Sequence, residues 1–347
     1  MYYDGTKLLN TKDINGKTPE IFVCTSNRSA GKTTYFNRLL VNRFIRKGEK
    51  FIILYRYKYE LSGAAEKFFK DIKNLFFPEY NLISESREKG TFFNLYLQKG
   101  DAPGLHCGYV ISINSAENIK KMSHFFSDAA SMILDEFQSE SGEYCPNEVN
   151  KFISIHVSIS RGAGKQKRYV PVYMISNPIT LLNPYYTAWG ISDRLTKQMH
   201  FFRGNGFVIE QGYNKSAQQA QESSGFMAAF NECDYVAYAG QGVYLNDNVT
   251  FIDKPAGTSR YLCTLKYKNS EYAVREYTDS GIIFCDDKPD RSFLLRVSVT
   301  TADHDINYVM LKNNAGLITL LRYYFDHGCF RFKNLSCKAA VMALLSY

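Results

Sequence analysis

Five apolar runs of strand length recur through the first half of the chain: IFVCTS (21–26), FIILYR (51–56), GYVISIN (108–114), SMILDEF (131–137) and VPVYMIS (170–176). In each, apolar residues follow one another instead of alternating with polar ones. A strand of that kind has no face to offer water, so it belongs in a sheet covered on both sides, the usual setting of parallel strands. Helical patterns fill the gaps. TTYFNRLLVNRFIRKG (33–48) sets Phe36, Leu39, Leu40 and Phe44 on one face, gathers basic residues near its end and stops at Gly48. ELSGAAEKFFKDIKNLFF (60–77) closes before Pro78, and NEVNKFISIHVSIS (147–160) is a third helix. Strands alternating with helices predict an α/β fold with a mostly parallel sheet.

The texture changes after about residue 205. NKSAQQAQESSG (214–225) is polar and poor in large apolar groups, and reads as a linker with some helical character. From Val243 the pattern becomes strand–turn–strand: VTFID (249–253), then SRYLCTLKYKNSEYAVREYTDSGIIFCDD (259–287) with turns at KNSE and TDSG. The helix NAGLITLLRYYFDHG, the short strand CFRFKN and the helix CKAAVMALLSY follow. The chain thus divides into residues 1–206, a linker at 207–242, and a smaller α+β domain at 243–347. The first 20 residues are polar and read as a loosely packed arm.

With 347 residues, 45% of them apolar, each domain can bury a core of its own. The eight cysteines include no Cys-x-x-Cys pair and have no histidines at zinc-site spacing, which argues against zinc and against a disulfide framework. There is no apolar leader and no apolar run of membrane-spanning length, so the expectation is a soluble intracellular chain without a membrane partner. The net charge of +8 is uneven: residues 1–206 hold 28 Lys and Arg against 19 Asp and Glu. A basic N-terminal part suits a polyanion.

The first apolar run ends in SNRSAGKTT (26–34), which opens a helix. Strand, loop ending in Gly31-Lys32-Thr33, then helix is the context of a phosphate-binding loop, although Ser26 stands where the usual pattern has a glycine. In this reading the amides of Ser26, Asn27, Arg28, Ser29, Ala30 and Gly31, with the helix start at Thr33 and Thr34, face phosphate oxygens. Lys32 adds a point charge, and the Thr33 hydroxyl can ligate Mg2+. About one hundred residues on, SMILDEF brings Asp135 and Glu136 to the end of a buried strand. Burying two adjacent carboxylates is costly unless they have work to do. Asp135 suits the metal shell and Glu136 suits activation of a water. The adjacent Glu favours an ATP-hydrolysing enzyme over a GTPase switch, and no guanine-specifying motif is present.

Two further stretches leave alternatives open. Ser176 or Asn177, ending the fifth run, either senses the γ-phosphate or simply forms a turn before Pro178. SRGAGKQKR (160–168) offers Arg161 as an arginine finger for a neighbouring subunit, or Lys165, Lys167 and Arg168 as a phosphate-gripping DNA loop, or only a solvated turn.

Taken together these motifs resemble the DNA-packaging (encapsidation) ATPases of small tailed phages of the phi29 type, short relatives of the terminase large subunits. The resemblance rests on SNRSAGKT, NRFIRKGEKFIILYRYKYEL (42–61), LDEF (134–137), PNEV (146–149), ISN (175–177) with NPY (183–185), and FRF (330–332). Loops of this family often lack the first glycine and carry an arginine three residues before Gly-Lys, here Arg28. The resemblance implies a P-loop NTPase of the ASCE type. Lys32, Thr33 and Arg28 would bind ATP phosphates, Asp135 would place Mg2+, Glu136 would activate water, and Arg161 would act in trans. Lys58 and Lys121 become candidates for DNA or inter-subunit contact. The implied machine is a homo-oligomeric ring, usually a pentamer. It docks on the portal of a procapsid in the host cytoplasm and drives double-stranded DNA inward, with a scaffold RNA in some members.

In terminases the second domain is an RNase H-like nuclease whose metal is held by first-strand carboxylates. Here SRYLCTLKYK (259–268) has none, while Asp286, Asp287, Asp303 and Asp305 lie elsewhere. A vestigial, non-cleaving nuclease fold is therefore expected. The alternatives are a terminase with an active endonuclease and a nucleotide-gated DNA-binding scaffold.

Overall fold

The computed structural model describes residues 3–161, 164, 166–181, 183–191, 194–195, 199–212, 214–229, 251–310 and 313–345. These form two units: residues 1–179 with 197–243, and residues 180–196 with 244–347.

The first unit is built on nine strands: β1 (Ile21–Thr25), β2 (Lys50–Tyr55), β3 (Tyr80–Arg87), β4 (Phe92–Lys99), β5 (Leu105–Ser112), β6 (Ala129–Asp135), β7 (Val172–Ser176), β8 (Phe201–Arg203) and β9 (Phe207–Gln211). Their order across the sheet is β3-β4-β5-β2-β6-β7-β1-β9-β8. The central strands from β5 to β9 pair in parallel, as continuous apolar runs require. Alternate residues face opposite sides, and both sides are covered. Phe51 and Ile53 lie in one core cluster with Phe36 and Leu40 of the helix Lys32–Lys47 and Phe68 and Phe69 of the helix Ala64–Phe76. Ile52, Leu54, Met132, Leu134 and Met174 of the other parity are equally buried. Phe51 stacks on Phe68 with ring centroids 5.3 Å apart. β5 approaches β2 so closely that a Cβ at Gly108 would sit 2.2 Å from the Phe51 carbonyl oxygen, so only glycine fits there.

The sheet departs from the purely parallel expectation at both edges. β3 and β4 form an antiparallel hairpin on β5, and β8 runs antiparallel to β9. β3 has one half-covered face and one exposed face, which is how an edge strand tolerates water. The linker expected at 207–242 is also corrected. Residues 207–211 are β9, hydrogen-bonded along β1 because its run FVIE is buried, and Lys215–Glu222 and Gly225–Ala228 are helices. Residues 230–250 lie outside the described residues. Nor is the N-terminal arm loose. Leu8 is fully buried, and Asp13 accepts the amides of Asn15, Lys17 and Gly206.

The second unit has a six-stranded sheet of β10 (Arg260–Tyr267), β11 (Ser270–Tyr277), β12 (Ile282–Asp286), β13 (Arg296–Ser298), β14 (Val309–Met310) and β15 (Phe330–Phe332), ordered β14-β13-β10-β11-β12-β15. β10, β11 and β12 form an antiparallel meander. β13 joins β10, β14 joins β13 and β15 joins β12, all in parallel. The β10–β11 turn holds Lys268 and Asn269 at φ 51° and 61°, the left-handed pair that a tight hairpin needs. Helices Ala315–Asp326 and Leu335–Leu345 supply Leu321, Cys337, Ala340, Val341 and Leu344 to its core. The expected strand 249–253 begins outside the described residues and is represented by a single bridge between Phe251 and Phe332. Residues 180–196, expected in the first domain, group with this unit. The seven described cysteines are all free, and among the described residues no helix is long and apolar enough to cross a membrane.

Candidate functional site

β6, β7 and β1 are consecutive in the sheet and end level with one another: Asp135 pairs with Ile175, which pairs with Cys24, and Thr25 pairs with Ser176. Parallel strands that stop together deliver whatever follows them to one edge. Following them here are the glycine-bearing loop, the acid pair and Ser176-Asn177. The loop lies about one hundred residues before the acid pair in sequence and the acid pair about forty before Ser176, and the topology brings all three to one place.

The loop turns through two left-handed residues, Ser29 at φ 59° and Gly31 at φ 90°, before the helix begins at Lys32. That backbone aims the helix N-terminus and its free amides back at the loop. Thr33 and Thr34 open the helix half-buried. Lys32 is only 7% exposed. Its ammonium donates to the Ser26 carbonyl at 3.2 Å and to Asn177 Oδ1 at 2.7 Å. Burial holds its pKa below the ordinary lysine value, against the pull of Cys24 and of Asp135. Asn177 thus touches the loop lysine directly. Ser176 is buried, its carbonyl accepts the Ser26 amide at 3.4 Å, and among the described residues its Oγ has no hydrogen-bond partner. An orphaned hydroxyl at this edge suits a bound oxygen-rich group.

Asp135 is half-buried, and burial with the neighbouring Glu136 pushes its carboxyl up to about 6. The Asp135 carboxylate and the Thr33 hydroxyl are hard oxygen donors of the type Mg2+ takes, so the residues present fit that ion. Glu136 is the exposed member. Its backbone sits at φ 57°, a left-handed conformation costing roughly 1–2 kcal/mol in a non-glycine residue. Several bonds hold it there. Its amide donates to Asp135 Oδ1 at 2.9 Å, and the Phe137 amide donates to the Ile175 carbonyl at 3.3 Å. Arg56, at the end of β2, donates through Nη2 to the carbonyls of Glu136 at 3.4 Å and Phe137 at 3.1 Å. Arg56 is itself fixed by Glu148, Nε to Oε2 at 2.8 Å and Nη2 to Oε1 at 3.1 Å. Lys67 lies 3.9 Å from the Glu136 carboxylate.

Sequence reasoning missed Arg56 and Glu148 as supports: both lie in stretches that carry the resemblance, but nothing in the sequence pairs one with the other across 92 positions. It also missed what flanks the loop. The Tyr3 amide donates to the Ala30 carbonyl at 2.8 Å, and its hydroxyl donates to buried Glu210 at 2.5 Å. On the other side Asn214, expected in a linker, pairs with Asn27.

The remaining predicted residues are scattered. Arg28 forms an ion pair with Glu140 across from the loop. Arg161 is exposed immediately beyond the helix Glu148–Ile159. Lys58 donates to the Lys89 carbonyl at 3.3 Å, Lys121 is exposed, and Lys167 pairs with Glu20 at 3.1 Å. Lys165 lies outside the described residues. Arg168 is corrected as a DNA-facing candidate. Its guanidinium turns inward, donating to the carbonyls of Ala129 at 2.9 Å and Ile159 at 2.8 Å, so it ties the loop down instead of presenting charge.

In the second unit the acids are occupied. Asp286 pairs with Arg275, Asp287 with Lys333 and Asp305 with Lys266, and Asp303 accepts the Asn269 amide and the Thr300 hydroxyl. Among the described residues no group of three or more metal-ligating side chains forms.

Comparison with known proteins gives a family match over residues 1–346 to the podovirus DNA encapsidation protein (Gp16). The DNA packaging protein of Bacillus phage phi29 is 23% identical over 311 residues, covering 88% of this chain and 87% of that one. The DNA packaging protein of Bacillus phage B103 is 24% identical over 88% of this chain and 90% of its own. Among solved structures, a chain of the bacteriophage phi29 viral genome packaging motor assembly superposes with a TM-score of 0.58 at 22% identity, covering 99% of this chain and 98% of that chain. At that identity the structural likeness speaks for the fold.

Proposed function

This chain belongs to the podovirus DNA encapsidation protein family, and on that premise we propose that it is an ATP-driven translocase that packages double-stranded viral DNA. The observation that carries the proposal is the convergence of Lys32, Asp135, Glu136 and Asn177 at one end of the parallel central strands of a single sheet. The strand β7 between the loop strand and the acid strand favours the ASCE type of P-loop NTPase.

Each residue has a part. The loop amides and the α-helix start bind the phosphates of ATP, and Lys32 lies at the β- and γ-phosphates, where charge shifts during transfer. Mg2+, when bound, neutralises phosphate charge, and Thr33 and Asp135 hold it. Glu136, exposed and held by its strained backbone, orients the attacking water and takes its proton. Asn177 releases or regrips the Lys32 ammonium according to what occupies the loop, and Ser176 offers its hydroxyl at the same edge. Arg28 swings from Glu140 to the phosphates. Arg161 reaches a neighbouring subunit's site, which requires a homo-oligomeric ring, most simply a pentamer docked on the portal of a procapsid in the host cytoplasm. Lys58, Lys121 and Lys167 are the candidate DNA or inter-subunit contacts, and a scaffold RNA is compatible with the basic balance of the first unit. The C-terminal unit we read as a nuclease-like sheet without cleavage, a reading supported by the absence of acids from β10 and by the paired state of Asp286, Asp287 and Asp305.

ATP turnover of the full chain tests the proposal. Lys32→Ala and Glu136→Gln should each lower hydrolysis by at least about a hundredfold, with Glu136→Gln still binding nucleotide. Parental turnover in either variant would overturn the site.

A further inference from the structure

The phosphate loop is fastened to the segment that follows the sheet by two asparagines. Asn27 is fully buried. Its carboxamide works like a short strand: Oδ1 accepts the Asn214 amide at 2.9 Å, and Nδ2 donates to the Asn214 carbonyl at 3.1 Å. This continues the β1–β9 ladder past its end, where the Gly212 amide donates to the Thr25 carbonyl at 2.7 Å. Asn214 answers in both directions. Its Nδ2 reaches the Ala30 carbonyl at 3.5 Å, one residue before Gly31, and its Oδ1 accepts the Ala217 amide at 3.1 Å, capping the helix Lys215–Glu222. One residue therefore holds the middle of the loop and starts the helix Lys215–Glu222.

We infer that Asn27 and Asn214 form a clasp that transmits occupancy of the phosphate loop to the helix Lys215–Glu222, and so are positioning residues for coupling rather than for chemistry. The reasoning is geometric. Phosphate oxygens draw on the amides around Asn27 and Ala30, and a shift of those peptides moves Asn214, which holds the loop by three bonds and the helix through the Ala217 and Gln218 amides. A carboxamide is required at position 27 because it must present an acceptor and a donor side by side; a carboxylate would set a second oxygen against the Asn214 carbonyl, and a methyl would leave the Asn214 amide without its acceptor. The inference rests on the proposed nucleotide site.

Hydrogen exchange of the full chain, with and without a non-hydrolysed ATP analogue and Mg2+, tests it, with analogue binding measured separately. In the parent, the analogue should slow exchange of the Ala217 and Gln218 amides at least about fivefold. At an analogue concentration that saturates the variant in the separate binding measurement, Asn27→Ala should lose that protection. Asn214→Gly, which keeps the backbone pairing and removes the cap and the Ala30 contact, should lose at least half of it and serves if Asn27→Ala does not fold. If the parent binds the analogue but the helix amides do not respond, or if both variants retain full protection, the clasp is refuted and the nucleotide site stands. If the parent does not bind the analogue, the proposed site itself fails and the clasp with it.

Discussion

Glu148→Ala attacks the support beneath the acid pair, and its cost follows from geometry. The Glu148 side chain is 1% exposed and that of Arg56 12%. The carboxylate holds Arg56 Nε and Nη2 on separate oxygens and also accepts the Cys145 amide at 2.9 Å. Its removal strands a guanidinium away from water and an amide without its acceptor. Breaking a buried pair from one side costs about 3–5 kcal/mol, and the orphaned amide adds roughly 1 kcal/mol. At about 2–4 °C per kcal/mol for a domain of this size, the melting temperature of the first unit should fall by roughly 8–24 °C. Glu148→Gln keeps the shape and an acceptor, so it should lose less. Urea unfolding followed by tryptophan-independent circular dichroism, with calorimetry alongside, measures both. The Arg56 Nη2 contacts to the Glu136 and Phe137 carbonyls predict a second effect in Glu148→Gln: the turnover number for ATP should fall more than the affinity for nucleotide, since the loop that binds phosphate is untouched. A Glu148→Ala protein within about 1 kcal/mol of the parent would refute the view that this pair is buried and structural.

The other expectations can be checked with single variants. Asp135→Asn should abolish hydrolysis and yet stabilise the nucleotide-free protein: burial and Glu136 raise this carboxyl from 3.8 to about 6, so its ionised form opposes folding above that pH, and thermal melts should show the gain growing from about pH 4 to 6 and then levelling. Arg161→Ala should be inactive alone and regain partial turnover when mixed with Glu136→Gln subunits; no rescue at any mixing ratio would count against a trans-acting arginine. Arg168→Ala should destabilise the first unit by about 2–3 kcal/mol, since two backbone carbonyls lose a charged donor, whereas Lys167→Ala should leave stability unchanged and, as a DNA contact, lower the salt slope of DNA binding by about 1. Incubation of plasmid with the parent and Mn2+ should yield no cutting, because Lys266, Arg275 and Lys333 already occupy the acids of the second unit.

Where the sequence spoke in periods, it was legible. The continuous apolar runs became the buried parallel strands β1, β2, β5, β6 and β7, and the stretches at 33–48, 60–77 and 147–160 became helices with shifted ends. The β3–β4 hairpin escaped because YNLISESR alternates weakly between half-covered and exposed faces, a pattern easily taken for a loop. β9 escaped because its short run FVIE stands beside a polar, linker-like stretch, and nothing local says that it will complete the ladder on β1.

The residue types of the candidate site were fixed by the chain alone: a lysine after a glycine at a helix start, two acids closing an apolar strand, a polar pair before a proline. Their meeting was decided by strand order, which sets β7 between β6 and β1 and makes all three end together. The supports were decided there too. Arg56 and Glu148 are 92 positions apart and Asn27 and Asn214 are 187 apart. Each is a polar side chain whose value depends on being shut away from water next to one particular partner. Hydrophobic periodicity records which face of an element is buried, but it carries no record of which distant polar group will share that burial.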